Sequence, residues 1–220
     1  RVTFVVSDRE RVALQAIAPG ARVAVLPSGI EVDVYRPHDP PVSTPTVLFC
    51  GVMNYEPNER GVSWFAAEVW PQVRSVIPEA GFSIVGSAPT RAVKTPAARD
   101  SSIDVVGQVA RVQPYLWKSA VSVAPLHLAQ GLQTKVLEAL AAGLPVVVTP
   151  AVLNGLPPEA QRGCITADKP EAFARAVIDL LKMSPHDRRQ RAAAASLDAL
   201  QWPARLRDLE AILRQAVTNS

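Results

Sequence analysis

The chain has 220 residues, 48% of them hydrophobic and 20% charged, with a net charge of +3 and a pI near 9.1. This composition excludes disordered and fibrous proteins, and no apolar run approaches the roughly 18 residues of a membrane span. Because Arg and Lys alternate with Asp and Glu instead of forming a stripe, we expect no nucleic-acid partner, although the mild charge permits contact with an anionic ligand or membrane surface.

The predicted strands are short, valine-rich runs. Most are continuously apolar, which is typical of parallel strands buried on both faces. They lie at Val2–Val6, Val23–Leu26, Thr46–Cys50, Phe82–Val85, Ile103–Val106, Val121–Ala124, Val146–Thr149 and Cys164–Thr166. Helix-length segments separate them, at Asp8–Ala18, Glu59–Val76, Arg91–Arg99, Arg111–Lys118 and Thr134–Ala142. This alternation predicts an α/β fold with a doubly wound parallel sheet.

After residue 168 the strands end and three helices are predicted, at Pro170–Met183, Pro185–Leu200 and Pro203–Val217. Each has a proline at or near its first turn, where the missing N–H is tolerated. The last places five apolar residues on one face, so we expect it to cover an apolar surface. These residues are Leu206, Leu209, Ile212, Leu213 and Ala216.

The proline-rich stretch from Arg36 to Pro45 predicts a linker between domains. The residues before it make only one strand, one helix and a second strand. Since even about 55–65 residues are marginal for independent folding, we expect this first segment to belong to a further domain.

The most informative segment runs from residue 130 to 143 and leads into the apolar residues 144–148. It predicts a loop, a short helix, a glycine cap and a buried strand. The first helical turn presents unpaired N–H groups and a positive dipole end, so we expect a diphosphate there, with Gly131 clearing the approach and Lys135 adding charge. Glu138 is suited to accept hydrogen bonds from two ribose hydroxyls. A surface Lys–Glu pair worth about 0.2–0.5 kcal/mol is the alternative interpretation.

Three predicted strands are followed by glycine, at Gly51, Gly86 and Gly107. In open α/β sheets, ligands bind outside the carboxyl ends of the strands, where glycine lets a ligand approach the backbone closely. The alternative interpretation is that these glycines only form turns, in which glycine is common. Asn54 is expected to contact a ligand or to form a turn. His127, in the loop before the phosphate site, is a candidate catalytic residue or a solvated histidine.

The sequence gives little indication of a disulfide, a catalytic triad, a metal site or a nicotinamide-binding site. Cys50 and Cys164 are the only cysteines, and we expect buried reduced thiols in a cytosolic protein. No Ser-His-Asp set is indicated, and no residues have metal-ligand spacing. No Gly-x-Gly-x-x-Gly motif follows a strand, which argues against a nicotinamide-dependent oxidoreductase.

From about Val2 to Trp202 these residues resemble the C-terminal, donor-binding half of a family 4 (group 1) glycosyltransferase with the GT-B fold. The block from Lys135 to Val148 is the most specific part. Other matching pieces occur in the family's order, at Ser7-Asp8, Pro27 to Asp33 with Tyr35-Arg36-Pro37, Val47 to Gly51, Ser83 to Gly86, Val105 to Val109 and Ala120 to Pro125. The detail Met53-Asn54-Tyr55 with Pro57-Asn58, together with Lys135, is similar to a subgroup often found in bacterial exopolysaccharide loci.

The resemblance implies a Rossmann-like half of a GT-B fold that binds a nucleotide diphosphate sugar. It further implies sugar transfer with retention at the anomeric carbon, no required metal or other cofactor, and a role in exopolysaccharide or lipopolysaccharide biosynthesis. Glu138 matches the ribose-binding glutamate, and Lys135 a position that is basic in part of the family. Gly131 and Leu132 match the backbone positions that face the diphosphate. Gly107, Gln108 and Val109 match the loop beside the base.

Two positions depart from the family pattern. Gln130 stands where the family has the first of two glutamates, so it retains an amide oxygen for a sugar hydroxyl but carries no charge. With His127 it is nevertheless our catalytic candidate. Val52 replaces the arginine that commonly follows Gly51, leaving Arg60, Lys135 or the preceding domain to meet the phosphates.

The resemblance also divides the chain into three parts. Residues 1–40 form the end of an acceptor-binding domain and the crossing between domains, and residues 41–202 form the donor domain. Residues 203–220 form a helix that packs back on the acceptor domain. We expect the chain alone to transfer no sugar and to form homodimers through surface meant for that domain. The whole protein is expected in the cytoplasm or at the inner membrane face, taking a saccharide or lipid-linked acceptor. A sugar-nucleotide epimerase and a nucleotide-binding or interaction module without catalysis stay open.

Overall fold

The computed structural model describes residues 2–37, 44–129 and 131–218, with the backbone alone for residues 215–218. The strands within these ranges are β1 Thr3–Val5, β2 Val23–Val25, β3 Thr46–Cys50, β4 Gly81–Val85, β5 Ile103–Gly107, β6 Val121–Ala124, β7 Val146–Val148 and β8 Cys164–Thr166. The helices are α1 Asp8–Ile17, α2 Val32–Tyr35, α3 Glu56–Trp64, α4 Trp70–Val76, α5 Arg91–Ala97, α6 Gln113–Lys118, α7 Thr134–Ala141, α8 Pro150–Leu153, α9 Pro158–Gln161, α10 Pro170–Lys182, α11 Pro185–Ala193, α12 Trp202–Arg205 and α13 Leu209–Thr218.

The main sheet has six parallel strands in the order β5-β4-β3-β6-β7-β8. Chain order runs outward to one side from β3 and to the other side from β6. The switch point of the sheet therefore lies between these two strands, and ligands of open α/β sheets bind outside the carboxyl ends of strands at such a point. The predicted α/β fold with a doubly wound parallel sheet is confirmed.

The chain separates into two compact units. One comprises Arg1–Glu31 with Leu197–Ser220, and the other is Val32–Ser196. In the first unit, β1 and β2 form a separate parallel pair, and the amide of Ile30 donates to the carbonyl of Leu200 at 2.9 Å. The second unit contains the six-stranded sheet. The domain boundaries expected at residues 40 and 202 stay predictions.

The core of the second unit lies on both faces of the central strands. Val47, Leu48 and Phe49 of β3 are fully buried, as are all three residues of β7. This burial explains why these strands are continuously apolar in the sequence. On one face Phe65 packs against Phe82, with ring centroids 4.7 Å apart.

Some predicted helices are wrong in their bounds. The helix expected over Glu59–Val76 contains a π-helical turn at Phe65–Val69, just before Pro71, whose missing N–H interrupts regular helical bonding. The helix expected over Pro185–Leu200 ends at Ala193, and the one over Pro203–Val217 is divided into α12 and α13. The four-residue helices α2, α8 and α9 were not predicted, because so few residues carry no periodic signal.

We expect Gly86→Ala to destabilise the protein by about 4 kcal/mol or more, an exceptional value for one substitution. Gly86 has φ of +150°, and a Cβ there would overlap the carbonyl oxygen of Gly51. Gly107→Ala is the matched control, because Gly107 also has a positive φ, of +82°, but a Cβ there would meet only open space. This variant should lose only about 1–2 kcal/mol of stability. Urea denaturation measures both, and equal losses would contradict the steric explanation.

Candidate functional site

Residues at the carboxyl ends of β3, β4 and β5 line a cleft of about 390 Å³ together with Glu138 of α7. Residues predicted from widely separated parts of the sequence meet here. Gly51, Gly86, Gln108, Val109 and Glu138 all line it. The fold therefore brings these five candidates together, while their binding roles stay predictions.

Bare backbone forms one wall of the cleft, where the chain leaves β3 and β4. The amide of Gly51 donates to the carbonyl of Val85 at 3.0 Å, and the amide of Gly86 donates to the carbonyl of Gly107 at 2.8 Å. A Cβ on Gly51 would lie 3.1 Å from Lys135 Nζ. Glycine at Gly51 and Gly86 thus allows the strand ends and the lysine to approach one another closely.

Lys135, the second residue of α7, is partly buried at the edge of this wall. Its Nζ donates to Asn58 Oδ1 at 2.6 Å and lies 4.7 Å from the centroid of the Phe49 ring. Burial lowers the pKa of the Lys135 ammonium from its ordinary 10.5 to about 8, with Cys50 and Glu138 acting in the opposite direction. A partly desolvated cation of this kind favours an anionic partner.

Asn58 fixes the direction of this lysine. It is buried on α3, and its Nδ2 donates to the carbonyl of Val52 at 2.9 Å. The amide oxygen is therefore the atom left to face Lys135. Asn58 thus joins the loop after β3 to the beginning of α7.

Glu138 lies one turn further along α7 and is partly buried. The hydroxyl of Tyr35 donates to Glu138 Oε1 at 3.0 Å, and the carbonyl of Tyr35 accepts from Trp117 Nε1 at 2.7 Å. Because a carboxylate has about four lone-pair sites, Glu138 retains acceptor capacity toward the cleft.

Cys50 also lines the cleft and is only partly buried, contrary to the expectation of a buried thiol. Burial, and secondly the charge of Glu138, raise the pKa of the Cys50 thiol from 9.0 to about 12. Cys50 is therefore a neutral thiol at physiological pH. Cys164 is free and buried as expected.

His127 is not among the residues around this cleft. It lines a second pocket of about 260 Å³ with Trp64 and Arg60. Its ring meets Trp64 edge-on at a centroid distance of 4.7 Å, and Nδ1 lies 3.9 Å from Asp168 Oδ1. Arg60, considered as a phosphate partner, instead pairs with Glu56 at 3.2 Å.

The remaining candidates lie in loops. Asn54 is exposed in the turn after β3, and Gly131 and Leu132 lie just before α7. Gly131 has φ of +66°, a conformation that favours glycine. Gln130 lies outside the described residues. The binding and catalytic roles of all four, and of His127, stay predictions.

Sequence reasoning missed Tyr35 and Asn58 as parts of the site. Tyr35 is 103 residues from its partner Glu138, and Asn58 is 77 residues from Lys135. Both residues stand in segments that resemble the family, but no local pattern predicts their contacts, because these depend on how distant helices pack against α7.

Two features are absent from the described part of the chain. No group of three or more His, Cys, Asp and Glu residues there is arranged to hold a metal ion. Within residues 2–37, 44–129 and 131–218, no helix combines the length and apolarity needed to cross a membrane.

The chain resembles known proteins in sequence and in structure. Residues 44–183 match the family model of the group 1 glycosyl transferases, while the comparison with curated proteins gave no match. Similar solved structures include sucrose-phosphate synthase from Thermosynechococcus elongatus, at 19% identity and a TM-score of 0.69. Others are Anabaena HepE in complex with UDP and glucose, at 11% and 0.73, and WaaG, a glycosyltransferase involved in lipopolysaccharide biosynthesis, at 18% and 0.68.

These structures align with almost the whole chain, covering 99%, 97% and 94% of it. The chain spans only 58%, 62% and 61% of their respective lengths. At these identities the likeness establishes a shared fold. The similarity to an exopolysaccharide subgroup stays a prediction.

The buried ammonium of Lys135 should make stability depend on pH. Since its pKa is about 8 in the folded state against an ordinary 10.5, the folded protein binds fewer protons between these values, so its stability rises with pH there. Between pH 8 and 10.5, the free energy of unfolding of the wild type should therefore rise by up to about 3 kcal/mol relative to that of Lys135→Met. Urea denaturation across this range measures the difference.

The matched control for this experiment is the exposed Lys94 of α5. Lys94→Met should retain the wild-type pH dependence of the unfolding free energy. The Cys50 thiol also makes stability depend on pH above 9.0. Because this contribution is present in both the wild type and Lys135→Met, it should largely cancel in the difference between them. A constant difference between wild type and Lys135→Met would show that Lys135 is fully hydrated.

Proposed function

Because the chain belongs to the group 1 glycosyltransferases, we propose that its second unit binds the nucleotide diphosphate sugar of a retaining sugar transfer. The observation that carries the proposal is the placement of Lys135 and Glu138 by one helix beside the cleft at the strand ends. A cation and a carboxylate one turn apart suit a diphosphate joined to a ribose.

In this proposal the first turn of α7 and Lys135 hold the diphosphate. As the bond between the sugar C1 and the phosphate oxygen breaks and the oxygen of an acceptor hydroxyl bonds to C1, negative charge develops on the departing nucleotide, whose phosphate then takes the hydroxyl proton. Lys135 and the first-turn N–H groups stabilise that charge more in the transition state than in the bound donor. Metal-independent transfer and the catalytic roles of Gln130 and His127 stay predictions.

Glu138 accepts the ribose hydroxyls, and the base lies along Gln108 and Val109. These two residues follow β5 and line the same cleft as Glu138. The cleft volume of about 390 Å³ is within the roughly 300–1,000 Å³ typical of small-molecule sites.

The solved structures support the donor and the pathway. HepE is similar in fold and was solved with UDP and glucose, and WaaG is involved in lipopolysaccharide biosynthesis. We therefore propose a nucleotide-sugar donor and a role in cell-surface polysaccharide synthesis. A saccharide or lipid-linked acceptor bound by a further domain, and action at the inner face of the membrane, are parts of the same proposal.

The donor can be identified by measuring thermal shifts with UDP, GDP, ADP and TDP and with their sugars. A ligand at one hundred times its Kd should stabilise the protein by about 2.7 kcal/mol. Glu138→Ala should weaken the nucleoside diphosphate that binds best by about 10- to 100-fold, because hydrogen bonds to a charged acceptor are lost. Isothermal titration calorimetry measures this change.

Glu171→Ala, on the exposed face of α10, is the matched control and should leave the affinity unchanged. If no nucleotide binds, or if Glu138→Ala binds as tightly as the wild type, the proposed donor site is wrong.

Contact between Lys135 and the diphosphate should be visible as proton uptake. At pH 8 the ammonium is about half-deprotonated in the free protein, given a pKa of about 8. A diphosphate beside it raises that pKa, so roughly half a proton should be taken up per nucleotide bound. Calorimetry at pH 8 in phosphate and in Tris, which differ in ionisation enthalpy, measures the uptake.

Lys135→Met should abolish this proton uptake and Lys94→Met should retain it. Nucleotide binding with no uptake by the wild type would place the diphosphate away from Lys135.

A further inference from the structure

Glu138 is held by a residue from a distant part of the chain. The hydroxyl of Tyr35 donates to Glu138 Oε1 at 3.0 Å. Tyr35 ends α2, whose first residue Val32 is buried, and its carbonyl accepts from Trp117 Nε1 at 2.7 Å. The tyrosine is therefore tied to α6 through its backbone and to α7 through its side chain.

Glu138 has an obvious competing partner on its own helix. Lys135 precedes it by three residues, a spacing at which opposite charges on a helix commonly pair. Nevertheless the two form no ion pair in the described structure. Lys135 Nζ is bound to Asn58 Oδ1 instead, and the carboxylate is bound to Tyr35. Two neighbours thus keep the two side chains from pairing directly, while the charge of Glu138 still favours the ammonium form of Lys135.

This separation matters for the ligand chemistry. A carboxylate paired with Lys135 would have less acceptor capacity for a diol, and the ammonium would be less able to meet a phosphate. Within the described part of the chain, the Tyr35 hydroxyl occupies one lone pair of Oε1, and the other acceptor sites of the carboxylate face other donors. It also lines the cleft beside Cys50 and Gly51.

We propose that Tyr35 is a positioning residue that directs Glu138 toward the two ribose hydroxyls and away from Lys135. This inference rests on the proposed function, since it assigns Glu138 to the ribose. It predicts that Tyr35 determines how strongly the site prefers a ribonucleotide to its 2′-deoxy analogue. The phenolic hydroxyl contacts the carboxylate, so its effect should reach the ligand through Glu138.

The test compares UDP, GDP and ADP with their 2′-deoxy analogues by calorimetry, using the full chain. For the pair that binds best, Tyr35→Phe should lower the ratio of ribo to deoxy affinity by about 5- to 10-fold, with little change for the deoxy nucleotide. Tyr115→Phe, which removes the hydroxyl of another partly buried tyrosine, should keep the wild-type ratio. Thermal melting checks that each variant is folded.

A double variant distinguishes positioning from general loosening of the fold. Removing Lys135 removes the partner toward which Glu138 is expected to turn. The ratio in Tyr35→Phe with Lys135→Met should therefore recover toward that of Lys135→Met alone. A purely structural role of Tyr35 would weaken both nucleotides equally and would not be rescued in this way.

The outcomes separate this inference from the function on which it rests. If no nucleotide binds, or if Glu138→Ala leaves the ratio unchanged, the donor site itself is wrong and the inference fails with it. If Glu138→Ala abolishes the preference but Tyr35→Phe retains it, only the role of Tyr35 is overturned. Tighter ribonucleotide binding by Tyr35→Phe would also overturn it, because Tyr35 would then compete with the ribose.

Discussion

The close approach of the backbone segments that follow β3 and β4 is the constraint on which the cleft depends. Gly86 has no room for a side chain against the carbonyl of Gly51, and Gly51 has little room against Lys135. The parallel register of the two strands places their carboxyl ends side by side. The sheet therefore presents unobstructed main chain where a ligand is expected, and α7 can bring its charged residues up to that wall.

The ammonium of Lys135 is held at a cost beside the cleft. Burial lowers its pKa to about 8. A group whose charged form is disfavoured by burial gains most from an oppositely charged ligand. Such local instability is common at functional sites and is offset by packing elsewhere, here by the buried core on both faces of β3 and β7.

Asn58 and Tyr35 give the two charges of α7 separate environments. On an isolated helix Lys135 and Glu138 would be free to pair, and the site would then be a surface salt bridge of small energetic value. The hydrogen bonds from α7 to α3 and to α2 instead direct the two side chains to different partners. A diphosphate and a ribose need separate partners in this way, which is why packing around α7 matters more to the proposed function than the helix alone.

The sequence by itself determined the class of fold, because strands buried on both faces must be continuously apolar, as at Val146–Val148. It also determined that Lys135 and Glu138 lie on one helix, since their spacing and the glycine at residue 143 are local signals. Only the tertiary structure decided that Asn58 and Tyr35 contact them, that His127 turns to Trp64 in a second pocket, and that the last predicted helix is divided. These features depend on contacts between residues far apart in the chain, and side-chain packing across such distances leaves no periodic trace in the sequence.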